Sequence, residues 1–234
     1  MRLLIAGIII FFTAFYFYLI WPRLSHKQQI RPFLHTMFAH RGYHCIEKGI
    51  PENSLSSFRA AISHGYGIEL DVHLSTDGKL VVFHDDDLSR ICGRPEAVEV
   101  LPSKELQRCR LQDTTETIPL FSEVLSLVDG QVPLLIELKI PKSSLSICEK
   151  TWEALKNYNG PYMVQSFNTL GIWWFRRHAP HVLRGQLSSN LTADNLPEPW
   201  ILTFIIVKFM SMLGNVLGRP DFILRINIAE PSEI

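Results

Sequence analysis

The sequence is poor in cysteine, and none of its four, Cys45, Cys92, Cys109 and Cys148, falls in the C-x-x-C spacing of a cysteine zinc site. Thiols this scattered read as free and buried, with one or two disulfides left open for an exported chain. A charge excess is also missing. Twenty-three Lys and Arg balance 23 Asp and Glu, so the basic stripe of a nucleic-acid binder is absent and no nucleic-acid partner is expected. No internal repeat is visible. What is present is a globular composition, 47% hydrophobic and 20% charged over 234 residues. That suits one domain with a real core, plus an extension.

The extension comes first. Residues 3–20, LLIAGIIIFFTAFYFYLI, carry no charge. At about 1.5 Å per residue they reach roughly 27 Å, against a hydrocarbon core of about 30 Å. A signal peptide has an apolar core of about 7–15 residues and an A-x-A-like cleavage site, and no such site follows here. Tyr16, Tyr18 and Trp21 fit an interfacial aromatic belt. The expectation is an uncleaved single-pass anchor over residues 1–23, a membrane location, and a polar, proline-interrupted linker over 24–36. Arg23, Lys27 and Arg31 outnumber Arg2, which by the positive-inside rule puts the folded part on the cytoplasmic side.

From residue 37 onward apolar runs alternate with helical patterns. Strands are expected at MFAH, GIELDV, LVVFHD, VPLLIELK, YMVQSF and HVLRGQLS. PENSLSSFRAAISHG repeats its apolar residues every three to four positions, with Asn53 or Ser54 as N-cap and Gly65 as stop. Helices are also expected over 119–128, 144–158 and the segment through TLGIWWFRRH, with a short one at SKELQRC. This order predicts an α/β fold built on a parallel sheet. One link is too short for a parallel crossover: between Asp71 and Leu80 either a helix is missing or Asp77-Gly78 turns a hairpin. FILRINI, at 222–228, offers at most one further strand. The apolar segment 199–218 reads as an amphipathic helix over the fold or against lipid rather than a second span, because Lys208 sits near its middle.

The chemistry begins at GIELDV. Side chains two apart on a strand share a face, so Glu69 and Asp71 point the same way among Ile68, Leu70 and Val72. Like charges held close repel, and burying them is costly without a partner. A divalent cation resolves both problems. IELK repeats the spacing, adding Glu137 and Lys139 from another strand. Three hard oxygen ligands favour Mg²⁺ or Ca²⁺ over zinc. A lone E-x-D would read more readily as exposed strand positions or salt-bridge partners. Here His40 and His84 also end apolar strands, where barrel enzymes put catalytic groups.

The stretch AHRGYHCIEKGIPENSLSSFRAAISHGYGIELDVHLSTDGKLVVFHD, followed by IELK and QSF, resembles the glycerophosphodiester phosphodiesterase family, in order from Met37 to about Ser189. The resemblance implies a TIM barrel over 37–234 with a small insertion at about 86–116. It implies metal-dependent cleavage of glycerophosphodiesters to an alcohol and glycerol phosphate. By motif, His40 and His84 would be the acid/base pair, and Glu69, Asp71 and Glu137 the metal ligands. Arg41, Lys139, Glu52 and Asn53 would order the site and the phosphate, with Phe167 a candidate for the pocket wall. The family continues through two more strands, usually with a tryptophan-bearing motif, which this chain lacks; an incomplete barrel is therefore expected. An anchor would suit glycerophospholipid or lysophospholipid substrates. The competing readings are a lysophospholipase D-like activity on membrane lysolipids and a non-catalytic incomplete barrel.

Overall fold

The computed structural model describes residues 2–21, 26, 28–141, 144–189 and 214–226. Along the chain run α1 (Arg2–Ile20), β1 (Phe38–Ala39), α2 (Leu55–Ser63), β2 (Gly67–Leu74), β3 (Leu80–Val82), α3 (Ser89–Cys92) and α4 (Ser103–Leu106). Then follow α5 (Phe121–Val128), β4 (Leu134–Leu138), α6 (Ser146–Leu155), β5 (Tyr162–Ser166), α7 (Thr169–His178), β6 (Leu183–Ser189) and β7 (Phe222–Ile226). The strands form one seven-stranded sheet in the order β1-β2-β4-β5-β6-β7, parallel throughout, with β3 paired antiparallel to β2. This is a parallel α/β half-barrel, as expected of an incomplete TIM barrel. The short link after Asp71 is a hairpin: Ser75 N bonds Lys79 O, and β3 runs back along Val72–Leu74.

Each strand serves two faces. Ile68, Leu70 and Val72 of β2, Leu134, Ile136 and Leu138 of β4 and Val164 of β5 pack with Phe58, Phe121, Val124, Cys148 and Phe175 from the helices. That is the main core, and the alternate residues of the same strands are left for the inner face. Helix α2 starts where its cap allows. Ser54 Oγ accepts from Ser57 N and Ser57 Oγ accepts from Ser54 N, a reciprocal box that satisfies two N–H groups. The capping residue is thus Ser54, which frees Asn53 for other work. The segment after β3 builds a separate small core from Phe83, Leu88, Ile91, Val98, Leu106, Leu111 and Ile118.

The N-terminal apolar run is helical throughout α1. Among the described residues, however, no helix is long and apolar enough to cross a membrane, so the single-span anchor expected over 1–23 has no support in the fold. Part of the physical reason is that the last turn belongs to the domain. Leu19 is buried, its carbonyl accepts from Asn215 Nδ2 at 3.1 Å, and Arg219 lies over the Tyr18 ring. The rest of α1 exposes Leu4, Ile8, Ile9, Ile10, Phe11 and Phe12. Of the segment 199–218, only 214–218 lies within the described residues, and it is helical.

The turn after β1 needs glycine. Gly42 has φ +79°, and an added Cβ would meet Ser57 Cβ at 2.8 Å and Phe58 Cδ1 at 3.0 Å. A side chain there would strain the backbone and push α2 away. Gly42→Ala is expected to destabilise the fold by about 1–3 kcal/mol, read as a lower midpoint in urea with unchanged slope.

Candidate active site

The inner face of the sheet carries the acids. Glu69 and Asp71 lie on β2, Glu137 on β4, and the register sets Asp71 directly opposite Glu137. Each of the three can offer an oxygen within 4.8 Å of the others, and all three side chains are buried. The same row continues through Gln165 of β5 to Gly185 of β6.

Burial and the Asp71 charge push Glu69 well above the ordinary carboxylate range, and the same two causes raise Glu137. Asp71 goes the other way. Burial raises it, but Lys139 and Asn53 outweigh that and hold it low. Lys139 Nζ sits 2.9 Å from Asp71 Oδ1 and 2.6 Å from Glu137 Oε1. Burial would discharge Lys139, yet Asp71 and Glu137 keep its pKa raised.

The loop after β1 supplies the rest of the frame. Arg41 and Asn53 are non-glycine residues with φ of 55° and 50°, a conformation that persists only where surrounding contacts impose it. Here Arg41 N donates to Glu69 Oε2 at 3.0 Å, Asn53 N donates to Arg41 O at 2.9 Å, and Asn53 Nδ2 donates to Asp71 Oδ2 at 2.9 Å. Gln165 Nε2 approaches Glu69 Oε1 at 3.4 Å. The Asn53 Oδ1 and Gln165 Oε1 atoms are buried with no hydrogen-bond partner among the described residues. An all-oxygen donor set, excess negative charge and unpaired carbonyl oxygens fit a hard divalent cation.

His40 follows β1 and is open to solvent on one side, while burial on the other and the Arg41 charge lower its pKa. His84 arrives by a different route from the one its strand-end position suggested. Its strand is the return arm of the hairpin, and Phe83 N bonds Asp71 O, which brings His84 back beside the acids. Its Nδ1 lies 2.6 Å from Asp85 Oδ1. Glu52 receives Arg41 Nη1 at 2.9 Å. Phe167, with Glu137, Lys139, Ile140, Asn168 and Asp86, lines a cleft of about 420 Å³ at the ends of β4 and β5, a size suited to a small ligand.

The ten candidate site residues, His40, Arg41, Glu52, Asn53, Glu69, Asp71, His84, Glu137, Lys139 and Phe167, therefore lie around this cluster and cleft. Three that sequence reasoning passed over lie there too. Gln165 sits inside the QSF motif and shares the inner face by period two. Asp85 directly follows His84 at the end of LVVFHD. Arg90, on α3, donates to both Glu52 and Asp85, and no spacing in the sequence announces it.

The raised acids have a consequence for stability. A carboxyl whose folded pKa is raised stabilises the fold at low pH and loses that contribution as pH climbs through the folded value. Metal-free protein should thus lose stability as pH rises above the ordinary 4.5 of a glutamate. Asp71 acts in the opposite sense, but only below its ordinary 3.8. Glu69→Gln is expected to raise the metal-free melting temperature at pH 7 and flatten this slope. Mg²⁺ or Ca²⁺ should stabilise the wild type and not the variant; melts from pH 4.5 to 8, with chelator or cation, measure both.

The arrangement has known relatives. The family model for the glycerophosphoryl diester phosphodiesterase family matches residues 40–228. A glycerophosphodiester phosphodiesterase of Caldanaerobacter subterraneus is 32% identical over 176 residues, covering 70% of this chain and 69% of that protein. The human lysophospholipase D GDPD1 is 28% identical over 156 residues, 61% of this chain and 48% of that protein. In fold, the chain is similar to an Oleispira antarctica phosphodiesterase solved with its product sn-glycerol-3-phosphate, with a TM-score of 0.62, 23% identity, and coverage of 82% of this chain and 93% of the other. With its half-barrel and its buried acidic cluster, this chain belongs to the glycerophosphoryl diester phosphodiesterase family, a family of phosphoric diester hydrolases.

Proposed function

We propose that this chain hydrolyses glycerophosphodiesters to an alcohol and glycerol phosphate, with His40 and His84 moving the protons. The observation that carries this reading is the buried Glu69, Asp71 and Glu137 cluster beside two histidines and a cleft. Those three acids would hold Mg²⁺ or Ca²⁺, which when bound supplies charge neutralisation at the phosphoryl oxygens. Lys139 keeps Asp71 and Glu137 in place. Arg41 brings a permanent positive charge to the anionic diester, and Glu52 orients its guanidinium. Asn53 fixes Asp71, and Phe167 lines the cleft together with Glu137 and Lys139.

Attack on a phosphodiester needs a proton taken from the nucleophile and a proton given to the leaving alkoxide. His40 is held toward its neutral form, the form that accepts a proton. His84 has Nδ1 committed to Asp85, which fixes the ring and leaves Nε2 for transfer to the leaving oxygen. His40→Ala and His84→Ala should each lower kcat by about 10²–10⁴-fold with cation binding retained. Excess chelator should abolish turnover, and Mg²⁺ or Ca²⁺ should restore it. Unchanged turnover in chelator would remove the cation from the reaction. No turnover on any glycerophosphodiester would favour the non-catalytic reading.

The apolar side chains that α1 exposes favour a location at a membrane, with the folded part on the cytoplasmic side. It also keeps a second reading open, lysophospholipase D-like action on lysolipids, in line with the human relative named above. Deleting residues 3–20 should move the protein from the membrane to the soluble fraction of a cell lysate. Retention in the membrane fraction would show that another segment holds it there.

A further inference from the structure

Arg90 lies on α3, in the segment after β3 that builds the small core, yet its side chain ends beside the acids' mouth at Glu52 and Asp85. Nε donates to Asp85 Oδ2 at 2.7 Å and Nη2 to Asp85 Oδ1 at 3.0 Å. Nη2 also donates to Glu52 Oε1 at 2.7 Å, and Nη1 to Glu52 Oε2 at 3.1 Å. One guanidinium therefore grips two carboxylates, each by both oxygens. Only the planar fork of arginine can do this; a lysine ammonium cannot.

Neither carboxylate is idle. Asp85 Oδ1 is 2.6 Å from His84 Nδ1, and Glu52 Oε1 is 2.9 Å from Arg41 Nη1. Burial works against charge on both acids, and their hydrogen bonds to His84, Arg90 and Arg41 overcome it, so both stay ionised. All three guanidinium nitrogens of Arg90 donate to these acids, which engages four of its five N–H groups, although its side chain is 48% exposed.

We propose that Arg90 is a positioning residue: it clamps Asp85 and Glu52, and through them sets the ring of His84 and the guanidinium of Arg41 for the reaction. The inference rests on the hydrolytic reading above and gives the segment after β3 a role in that chemistry. Without the clamp, Asp85 and Glu52 are two like charges at short range with no cation between them. They should turn apart, and each would drag its partner out of line. Small displacements of an acid/base group carry large rate penalties.

The test compares wild type, Arg90→Ala and Arg90→Lys as full-length proteins with Mg²⁺. In Arg90→Ala, kcat on a glycerophosphodiester should fall by about 10–100-fold, the usual cost of losing an orienting partner, with KM changed much less. Arg90→Lys should fall between, because it keeps the charge without the fork. Added guanidinium chloride at non-denaturing concentration should restore part of the rate to Arg90→Ala and none to His84→Ala. A purely structural role would lower the melting temperature and show no such rescue, which would overturn the proposal, as would wild-type kcat in Arg90→Ala. A crystal structure of Arg90→Ala gives a readout that needs no activity. Asp85 off His84 Nδ1 and Glu52 off Arg41 is the expected result, and both pairs intact overturns the proposal. An inactive wild type would count against the hydrolytic reading, and the crystal structure would still decide the clamp.

Discussion

Three carboxylates forced together on the buried inner face of a sheet are the constraint around which the rest is organised. Glu69, Asp71 and Glu137 cannot all be charged there without compensation. Lys139 lies between Asp71 and Glu137, the amide of Asn53 also holds Asp71, and the backbone of Arg41 holds Glu69. To deliver those donors, the chain adopts left-handed backbone at two non-glycine residues. Even so, Glu69 and Glu137 are left with raised pKa values. Residual repulsion of this kind works against stability and favours a ligand that brings positive charge.

The fold tolerates this because its core lies elsewhere. The apolar half of each strand packs on the helices, so the inner face is free to be polar without opening a hole in the main cluster. Parallel pairing then puts the strand ends, and the loops that follow them, on one side of the sheet. The loop after β1, the hairpin after β2 and the cleft beyond β4 and β5 all converge there. The segment between β3 and α5 adds a second small core and leans into the mouth through Arg90. Barrel and appended segment thus meet in a chain of polar contacts, from His84 through Asp85, Arg90 and Glu52 to Arg41. From Asp85 to Arg41 each charge is flanked by its opposite, which lets several ionised groups share a partly buried space.

Much of this was legible along the chain, because local rules governed it. Period two put Glu69 with Asp71, and Glu137 with Lys139; the helical repeat found α2, and the short Asp71–Leu80 link left room for the hairpin that forms. The choice of Ser54 over Asn53 as cap was not legible, since either side chain can accept the bond. It was decided by Asp71, which engages the Asn53 amide. Strand β7 was only a possibility in FILRINI, and pairing with β6 made it one.

By itself the sequence determined the acids, the histidines, the faces they occupy and the family to which the chain belongs, because these depend on residue type and short-range spacing. Tertiary structure alone decided what spans elements far apart in the chain. It set β4 beside β2 so that Glu137 faces Asp71, turned β3 back so that His84 returns to the acids, and tied the last turn of α1 to Asn215. It also carried Arg90 to Glu52, 38 positions away. Strand order, hairpin direction and the reach of a long side chain follow from how the apolar faces pack, and no local pattern encodes them.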